Sequence, residues 1–174
     1  IQEISGDVTS PDDYKIIIAL PNSGYHVYEL DRGIYKAVTE GVYNELTKPT
    51  ADKFRIKTKS QVVYTYQKLS GVPDHYPYVL VSIHDRNGNQ LSINYENSQN
   101  ANTPLAKRIK EVVGTSGRKI NFYYHTGSDL IDYIEDPINR KVYFTFDAEN
   151  RLSTFVDAKS QTTATLNAKQ TEWH

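Results

Sequence analysis

The chain has 174 residues, of which 38% are apolar and 24% charged, a composition typical of one globular domain with its own core. Its 20 basic and 21 acidic residues are mixed along the chain and leave a formal charge of −1, so no net field would collect nucleic acid. The absence of cysteine excludes disulfides, thiolate metal sites and a cysteine nucleophile. We therefore expect a single domain over residues 1–174 that does not bind nucleic acid.

The sequence also lacks methionine, and Ile1 stands at its first position. A chain without Cys or Met that begins in this way is typical of the mature part of an exported bacterial precursor, although a domain cut out of a longer chain would look the same. No run of about 18 apolar residues is present, so we do not expect this segment to insert into a membrane. The predicted location is extracytoplasmic, at the bacterial cell surface or secreted.

The first element in the chain is a predicted buried strand over Tyr14–Leu20, which ends at Pro21. The next stretch has an apolar residue at every fourth position, as one face of a helix does. These residues are Leu30, Ile34, Val38, Val42 and Leu46. We predict a helix here, although Gly33 and Gly41 oppose it and a Tyr-rich hairpin is the alternative.

From Phe54 onward the pattern has period two and predicts strands. Two of them cover 54–57 and 62–67, and a further pair, 78–84 and 90–95, flanks the loop Asp85–Asn89, whose Asn-Gly pair is typical of a tight hairpin. A second helix is then predicted to begin at Thr103-Pro104 and to end at Gly114. Its apolar stripe consists of Leu105, Ile109 and Val112.

The last third contains strands again, over 119–125, 141–147 and 151–156, with a further candidate strand over 162–166. The acidic segment Ser128–Asp136 is predicted to form one or two helical turns. A weak internal similarity relates residues 82–92 to 145–153, and shared turn chemistry is its simplest explanation.

Together these elements predict an α+β fold, with an antiparallel, meander-like sheet of about six to eight strands and two helices packed on one face. The helices would bury Ile34, Val38, Val42, Leu105 and Ile109. The other face of the sheet would be exposed and would carry tyrosines.

No motif in the sequence marks an enzyme, a cofactor site or a metal centre. Asp85, Asn87, Asn89 and Glu96 match part of a calcium-loop spacing, but the glycine position holds Gln90, so a plain hairpin turn is favoured. We predict no cofactor and no metal. A small hydrolase remains an alternative, with acid and base drawn from Asp129, Asp132, Glu135 and His125.

The unusual feature of the composition is its fourteen tyrosines, against five phenylalanines and one tryptophan. Tyrosine joins a large apolar ring to a polar tip and suits recognition surfaces, although outward tyrosines also stabilise strands by cross-strand pairing. We predict a non-enzymatic protein-binding module, in its specific form an inhibitor or immunity protein that blocks a toxin; a carbohydrate-binding module is a further alternative. The predicted protein-binding residues are Tyr64, Tyr66, Tyr123, His125 and Tyr143.

Overall fold

The computed structural model describes residues 2–5, 14–20, 24–70, 78–100 and 107–157. The chain divides into two compact units, Ile1–Ser92 and Ile93–His174, and the prediction of one domain over the whole chain stays a prediction. The candidate strand over 162–166 lies outside the described residues, as do Thr103 and Leu105 of the second predicted helix.

The described residues form strands and turns without any helix, so the predicted α+β class is wrong and the fold is all-β. The strands are hydrogen-bonded in chain order, and every described register is antiparallel. The first unit contains β1 (Gln2–Ser5), β2 (Tyr14–Leu20), β3 (Gly24–Asp31), β4 (Ile34–Ala37), β5 (Glu45–Thr50), β6 (Lys53–Lys57), β7 (Val63–Lys68) and β8 (Tyr78–His84). The chain enters the second unit within β9 (Gln90–Asn97), which is followed by β10 (Lys107–Gly114), β11 (Lys119–Tyr124), β12 (Ile131–Glu135), β13 (Lys141–Phe146) and β14 (Leu152–Val156).

The first predicted helix is replaced by a hairpin between β3 and β4. Arg32 and Gly33 both have positive φ angles, 48° and 83°, and form a two-residue turn that pairs Asp31 with Ile34. A two-residue turn of this kind matches the twist of the strands and reverses the chain where the helix would have continued. The alternative, a Tyr-rich hairpin, is confirmed. The apolar stripe is not a buried face, because Ile34 is 64% exposed and Val38 50% exposed.

The other two helical predictions are also wrong. Ile109 and Val112 lie on β10, where Val112 pairs with Ile120 of β11, and the acidic segment contains β12. Both segments carry β-branched residues and are too short for an apolar spacing of three or four to separate a helix from a strand. Pairing with the neighbouring strands decides the outcome.

The period-two strands are confirmed, and so is the hairpin at Asp85–Asn89. The amide of Asp85 donates to the carbonyl of Asn89 at 3.0 Å, and Gly88 has a φ of 84°. The positive φ is needed at the third loop residue, as in a three-residue loop closed by a glycine bulge. Both carboxylate oxygens of Asp85 accept hydrogen bonds within the turn, from the Asn87 and Asn89 amides and the Asn89 side chain.

The same hydrogen-bonded turn recurs between other strands. In each case the third loop residue has a positive φ, and the turns are Thr58–Val62, Asp85–Asn89, Gly114–Arg118, Asp136–Arg140 and Asp147–Arg151. The weak similarity of 82–92 to 145–153 is thus accounted for by shared turn chemistry. In the second unit, turns begin at Gly114, His125, Asp136 and Asp147, eleven residues apart. This regular spacing brings equivalent strand positions into register across β10 to β14.

The buried core lies in the first unit. Its side chains come from β2, β3, β5, β6, β7 and β8 and are Ile16, Ile18, Leu20, Tyr28, Leu46, Phe54, Ile56, Tyr66 and Tyr78. Two of the tyrosines use their hydroxyls to bond the backbone: Tyr66 donates to the Ala19 carbonyl at 2.8 Å, and Tyr78 donates to the Ala51 carbonyl at 3.2 Å.

Tyr28 is fully buried, and its hydroxyl has no hydrogen-bond partner among the described residues. Burial raises the pKa of Tyr28 from 10.0 to about 12. The unfolded chain therefore loses the Tyr28 hydroxyl proton near pH 10, whereas the folded chain keeps it up to about pH 12. The free energy of unfolding consequently falls as the pH rises from 10 towards 12. We expect Tyr28→Phe to raise the free energy of unfolding by about 1 kcal/mol at pH 7, because it removes the buried hydroxyl that has no partner. The variant should also escape a loss of about 2 kcal/mol of unfolding free energy at alkaline pH, because phenylalanine has no proton to lose. Urea titrations of both proteins from pH 7 to 11.5 measure this; equal alkaline slopes would contradict it.

Candidate functional site

The second unit is a sheet without a buried core. Strands β10 to β14 pair in order, yet none of the side chains described in residues 93–100 and 107–157 is classed as buried. Both faces of this part of the sheet are partly open, so its surface chemistry follows directly from strand alternation and register.

Alternation separates the residues of β11 to β14 into two faces, because paired residues on antiparallel strands share a face. We call one the tyrosine face, and it carries Asn121, Tyr123, Tyr133, Glu135, Lys141, Tyr143, Thr145, Thr154 and Val156. We call the other the apolar face, and it carries Ile120, Phe122, Ile134, Val142, Phe144 and Phe155. The first face is thus mainly aromatic and polar. The second is hydrocarbon at these positions, and Tyr124 with the Arg108 guanidinium stacked on its ring follows Phe122 on the same side of β11.

Three tyrosines stand side by side across the tyrosine face. Tyr123 pairs with Tyr133, and Tyr133 pairs with Tyr143, so the rings come from three adjacent strands. The first two rings are stacked with centroids 4.3 Å apart and an interplanar angle of 16°, and the second two are tilted with centroids 5.2 Å apart. We call Tyr123, Tyr133 and Tyr143 the tyrosine ladder.

One acidic and one basic side chain border the ladder. Glu135 accepts a hydrogen bond from the Tyr123 hydroxyl at 3.1 Å, and this bond raises the pKa of Tyr123 because it favours the protonated phenol. The ammonium of Lys141 lies 4.4 Å from the centre of the Tyr133 ring and 3.8 Å from Glu135. The ladder is thus a strip of aromatic rings in which Glu135 holds the Tyr123 hydroxyl, with a charge of each sign beside it.

The structure brings together two of the five predicted binding residues, Tyr123 and Tyr143, with Tyr133 between them. His125 follows β11 at a turn, and its ring meets Phe146 edge-on at 6.1 Å rather than the ladder. Tyr64 and Tyr66 belong to the first unit, where Tyr66 is a core residue 5% exposed and Tyr64 packs against that core. Neither ring of that pair presents an open surface like the ladder.

Sequence reasoning missed Tyr133, the central member of the ladder, because the acidic segment was predicted to be helical. The pairing of β11 with β12 also contains a bulge, which alternation does not predict. Strand β12 has one extra residue, Asp132, opposite the peptide bond between Tyr123 and Tyr124. A signal was nevertheless present, since Tyr123, Tyr133 and Tyr143 are spaced ten residues apart.

An arginine with a largely covered side chain organises one border of the second unit. The Arg108 side chain is 9% exposed, and its Nε and Nη2 both donate to Glu96, at 2.8 and 2.7 Å. Its Nη1 donates to the Ser128 carbonyl at 2.7 Å and lies 3.5 Å from Asp129. The guanidinium also stacks 4.1 Å from the centre of the Tyr124 ring.

A cavity of about 380 Å³ opens beside this arginine. Its polar lining includes Glu96, Arg108, Lys110, Asn121 and Asp132, and aromatic rings complete it. The volume is near the lower end for small-ligand sites, and the cavity is open to one side.

The carboxylates considered for acid and base chemistry mostly serve the structure. Asp129 bonds Ser98 and faces Arg108, and Glu135 bonds Tyr123. The neighbouring Asp136, which was not among those candidates, closes its turn: burial raises its pKa, but hydrogen bonds from the Arg140 backbone and side chain outweigh burial and lower it. In the part of the chain that the structure describes, no three His, Asp or Glu residues are grouped so as to hold a metal ion.

No protein family model matches the chain, and a search of curated proteins finds no significant relative. Among the described residues no helix is long and apolar enough to span a membrane.

Proposed function

We propose that the chain is a non-enzymatic binding module that holds another protein through the tyrosine face of its second unit. The observation that carries this proposal is the tyrosine ladder, three adjacent rings on an open sheet face with Tyr123 38% exposed. Tyrosines in such rows offer contact area at a low cost in conformational entropy, and their hydroxyls give direction to a contact. The ladder is also preorganised, since stacking and the bond to Glu135 hold its rings in place.

The geometry of the ladder favours a protein over a sugar as its ligand. A pyranose stacks on the flat face of an aromatic ring, but the faces of Tyr123 and Tyr133 cover each other at 4.3 Å, and Lys141 approaches the Tyr133 ring. What the ladder presents outward is ring edges and hydroxyls. A flat strip of this kind complements another polypeptide surface better than a sugar ring.

The hydrolase alternative is disfavoured because its carboxylates already contact neighbouring side chains of the sheet. A general acid must keep its proton near neutral pH, which requires a raised pKa. Asp129 lies 3.5 Å from the cationic Arg108, and Glu135 accepts the Tyr123 hydroxyl and lies 3.8 Å from Lys141. An enzyme would need an acid that these contacts do not provide.

The more specific form of the proposal is an inhibitor or immunity protein of exported bacterial origin that blocks a toxin. It needs only a stable scaffold and a complementary surface, which the core of the first unit and the ladder of the second supply. A pull-down with the purified chain from culture medium and lysate of the source organism tests this form. A toxic protein held in a fixed ratio supports it, and a harmless partner rejects it.

The ladder itself is tested by three single substitutions, Tyr123→Ala, Tyr133→Ala and Tyr143→Ala. We expect each to weaken binding of the captured protein at least tenfold, because central aromatic residues dominate interface energies, with the largest loss at Tyr133. Isothermal titration with each variant provides the dissociation constants, and circular dichroism checks the fold.

Tyr25→Ala is the matched control, since Tyr25 is a tyrosine 74% exposed on β3 of the first unit. It should bind like the unmodified chain. Unchanged binding in all three ladder variants would sink the proposal, and unfolding of those variants would mean that the ladder is a structural element instead.

A further inference from the structure

We propose that the cavity beside Arg108 binds a small zwitterion of the α-amino acid class that carries an apolar side chain. In this assignment Lys110 binds the carboxylate of the ligand, Asp132 binds its ammonium group, and Phe122 contacts its side chain. The inference is independent of the proposed function, because it concerns a small molecule in the cavity and not a protein on the tyrosine face.

The charged and aromatic side chains that line the cavity come from the same side of β10 and β11. Val112 pairs with Ile120. Alternation from this pair places Lys110 opposite Phe122 and Arg108 opposite Tyr124. The stacking of the Arg108 guanidinium on the Tyr124 ring at 4.1 Å agrees with this placement. All four of these residues line the cavity, which therefore combines charged groups with an aromatic floor.

Four charged side chains line the cavity, and two of them already form an ion pair with each other. Arg108 donates to Glu96 through both Nε and Nη2, at 2.8 and 2.7 Å. Lys110 and Asp132 also line the cavity, and neither forms an ion pair within the described part of the chain. One unpaired charge of each sign in one cavity complements a ligand that carries both charges.

The spacing of the two unpaired charges fits an α-amino acid. Lys110 on β10 and Asp132 on β12 are two strands apart, and Asp132 is displaced by about two residues along the strands. With strands about 4.8 Å apart, their Cα atoms are separated by roughly 11 Å. The ammonium and carboxylate of an α-amino acid lie about 3 Å apart, and a hydrogen bond of about 2.8 Å at each end lets it join charges about 8 Å apart. The flexible lysine stem adjusts to this distance.

The size and floor of the cavity define the rest of the ligand. Phe122 is half-buried, so its ring offers an apolar surface between the two charged side chains. The volume of about 380 Å³ is near the lower end for small-molecule sites, which suits one amino acid better than a larger cofactor. A branched aliphatic side chain, as in leucine, covers the ring and leaves the charged groups of the ligand free to pair.

Titration of the isotope-labelled full chain with L-leucine, followed by amide chemical shifts in NMR spectra, tests the inference. We expect saturable shifts confined to β10, β11 and β12, with a dissociation constant of about 1 mM or below for a ligand of this size in an open site. Leucinamide lacks the carboxylate and N-acetyl-leucine lacks the ammonium. Each should bind at least tenfold more weakly than leucine, and glycine, which offers no side chain to Phe122, should also bind more weakly.

Two variants assign the charges to their residues. Lys110→Met keeps the alkyl stem and should abolish the preference for leucine over leucinamide, whereas Asp132→Asn should abolish the preference for leucine over N-acetyl-leucine. Lys119→Met is the matched control, because Lys119 is a lysine of the same unit that pairs with Glu111 and does not line the cavity. Its affinity for leucine should equal that of the unmodified chain.

Three outcomes would overturn the inference. The first is the absence of shifts in β10 to β12 with leucine at up to about 20 mM, far above the expected dissociation constant. The second is equal binding of leucine, leucinamide and N-acetyl-leucine, which would mean apolar contact alone. The third is an unchanged ligand preference in both variants. Tyr143→Ala, which alters the ladder and not the cavity lining, should keep leucine binding and lose the protein partner, so failure here is distinguishable from failure of the proposed function.

Discussion

Phe54→Ala is expected to lower the free energy of unfolding of the first unit by about 4 kcal/mol. Phe54 is fully buried on β6, and its ring meets Tyr35 and Tyr78 edge-on, with centroids 5.9 and 4.9 Å away. Removing it takes away the ring's own burial and leaves a cavity between two aromatic side chains that are tied to other strands. Tyr78 is held by its bond to the Ala51 carbonyl, so it cannot move freely to fill the space.

Urea unfolding followed by circular dichroism provides the measurement, and Ile34→Ala is the matched control. Ile34 is an apolar residue of the same unit that is 64% exposed, so its truncation should change the unfolding free energy by less than about 0.5 kcal/mol. The pair also distinguishes the two folds considered for this stretch. A helix would have made Ile34 a core residue, and a large loss at Ile34 with a small one at Phe54 would reverse the assignment of the core.

The strands were predictable wherever a local rule decides them. Tyr78–His84 is a short, largely apolar run that is followed by an aspartate and an Asn-Gly turn, so several local signals agree. Tyr14–Leu20 was equally clear because it is a short continuous apolar run that ends at a proline.

The helices were mispredicted because a spacing of four is also compatible with strands separated by turns. Ile34 and Val38 lie four residues apart on opposite sides of the end of β4, and Leu46 is already on β5. The decisive feature is Gly33, since a two-residue turn with positive φ needs a residue that accepts it, and this turn signal outweighs the apolar stripe.

The candidate site was only half predictable for a related reason. Tyr123 and Tyr143 follow from alternation on strands that the sequence made clear, but their contact depends on β12, which carries Tyr133 and the extra residue Asp132. Which residues face each other across three strands is set by register and by an irregularity in it, and neither leaves a local signature. The same limit explains why Tyr66 was predicted to bind a partner although it is a core residue. Alternation assigns Tyr66 to one face of the sheet but does not show that this face is the buried one.

Arg108→Ala is expected to lower the free energy of unfolding by about 3 kcal/mol, the second largest effect. The side chain is 9% exposed and joins β10 to Glu96 on β9 and to the Ser128–Asp129 turn before β12. Its loss takes the guanidinium donor from Glu96 and from the Ser128 carbonyl and the cation from beside Asp129, which keeps its hydrogen bond from Ser98. It also removes the ring contact with Tyr124. The two carboxylates are about one third exposed, which lets water recover part of the loss and keeps the estimate below that for a fully buried pair.

Two further variants show which property of Arg108 matters. Arg108→Lys keeps the charge but loses the several donors of the guanidinium, and Arg151→Ala removes an exposed arginine for comparison. Lysine keeps the charge but cannot donate to Glu96 and Ser128 at once or stack flat on Tyr124, so it should recover less than half of the loss. Arg151 also pairs with two carboxylates, Asp147 and Glu149, but its side chain is 73% exposed, and its removal should cost less than about 1 kcal/mol. Urea unfolding of the three variants side by side is the measurement. Equal losses for Arg108→Ala and Arg151→Ala would show that burial of the guanidinium contributes nothing, and that the second unit is held by its backbone pairing alone.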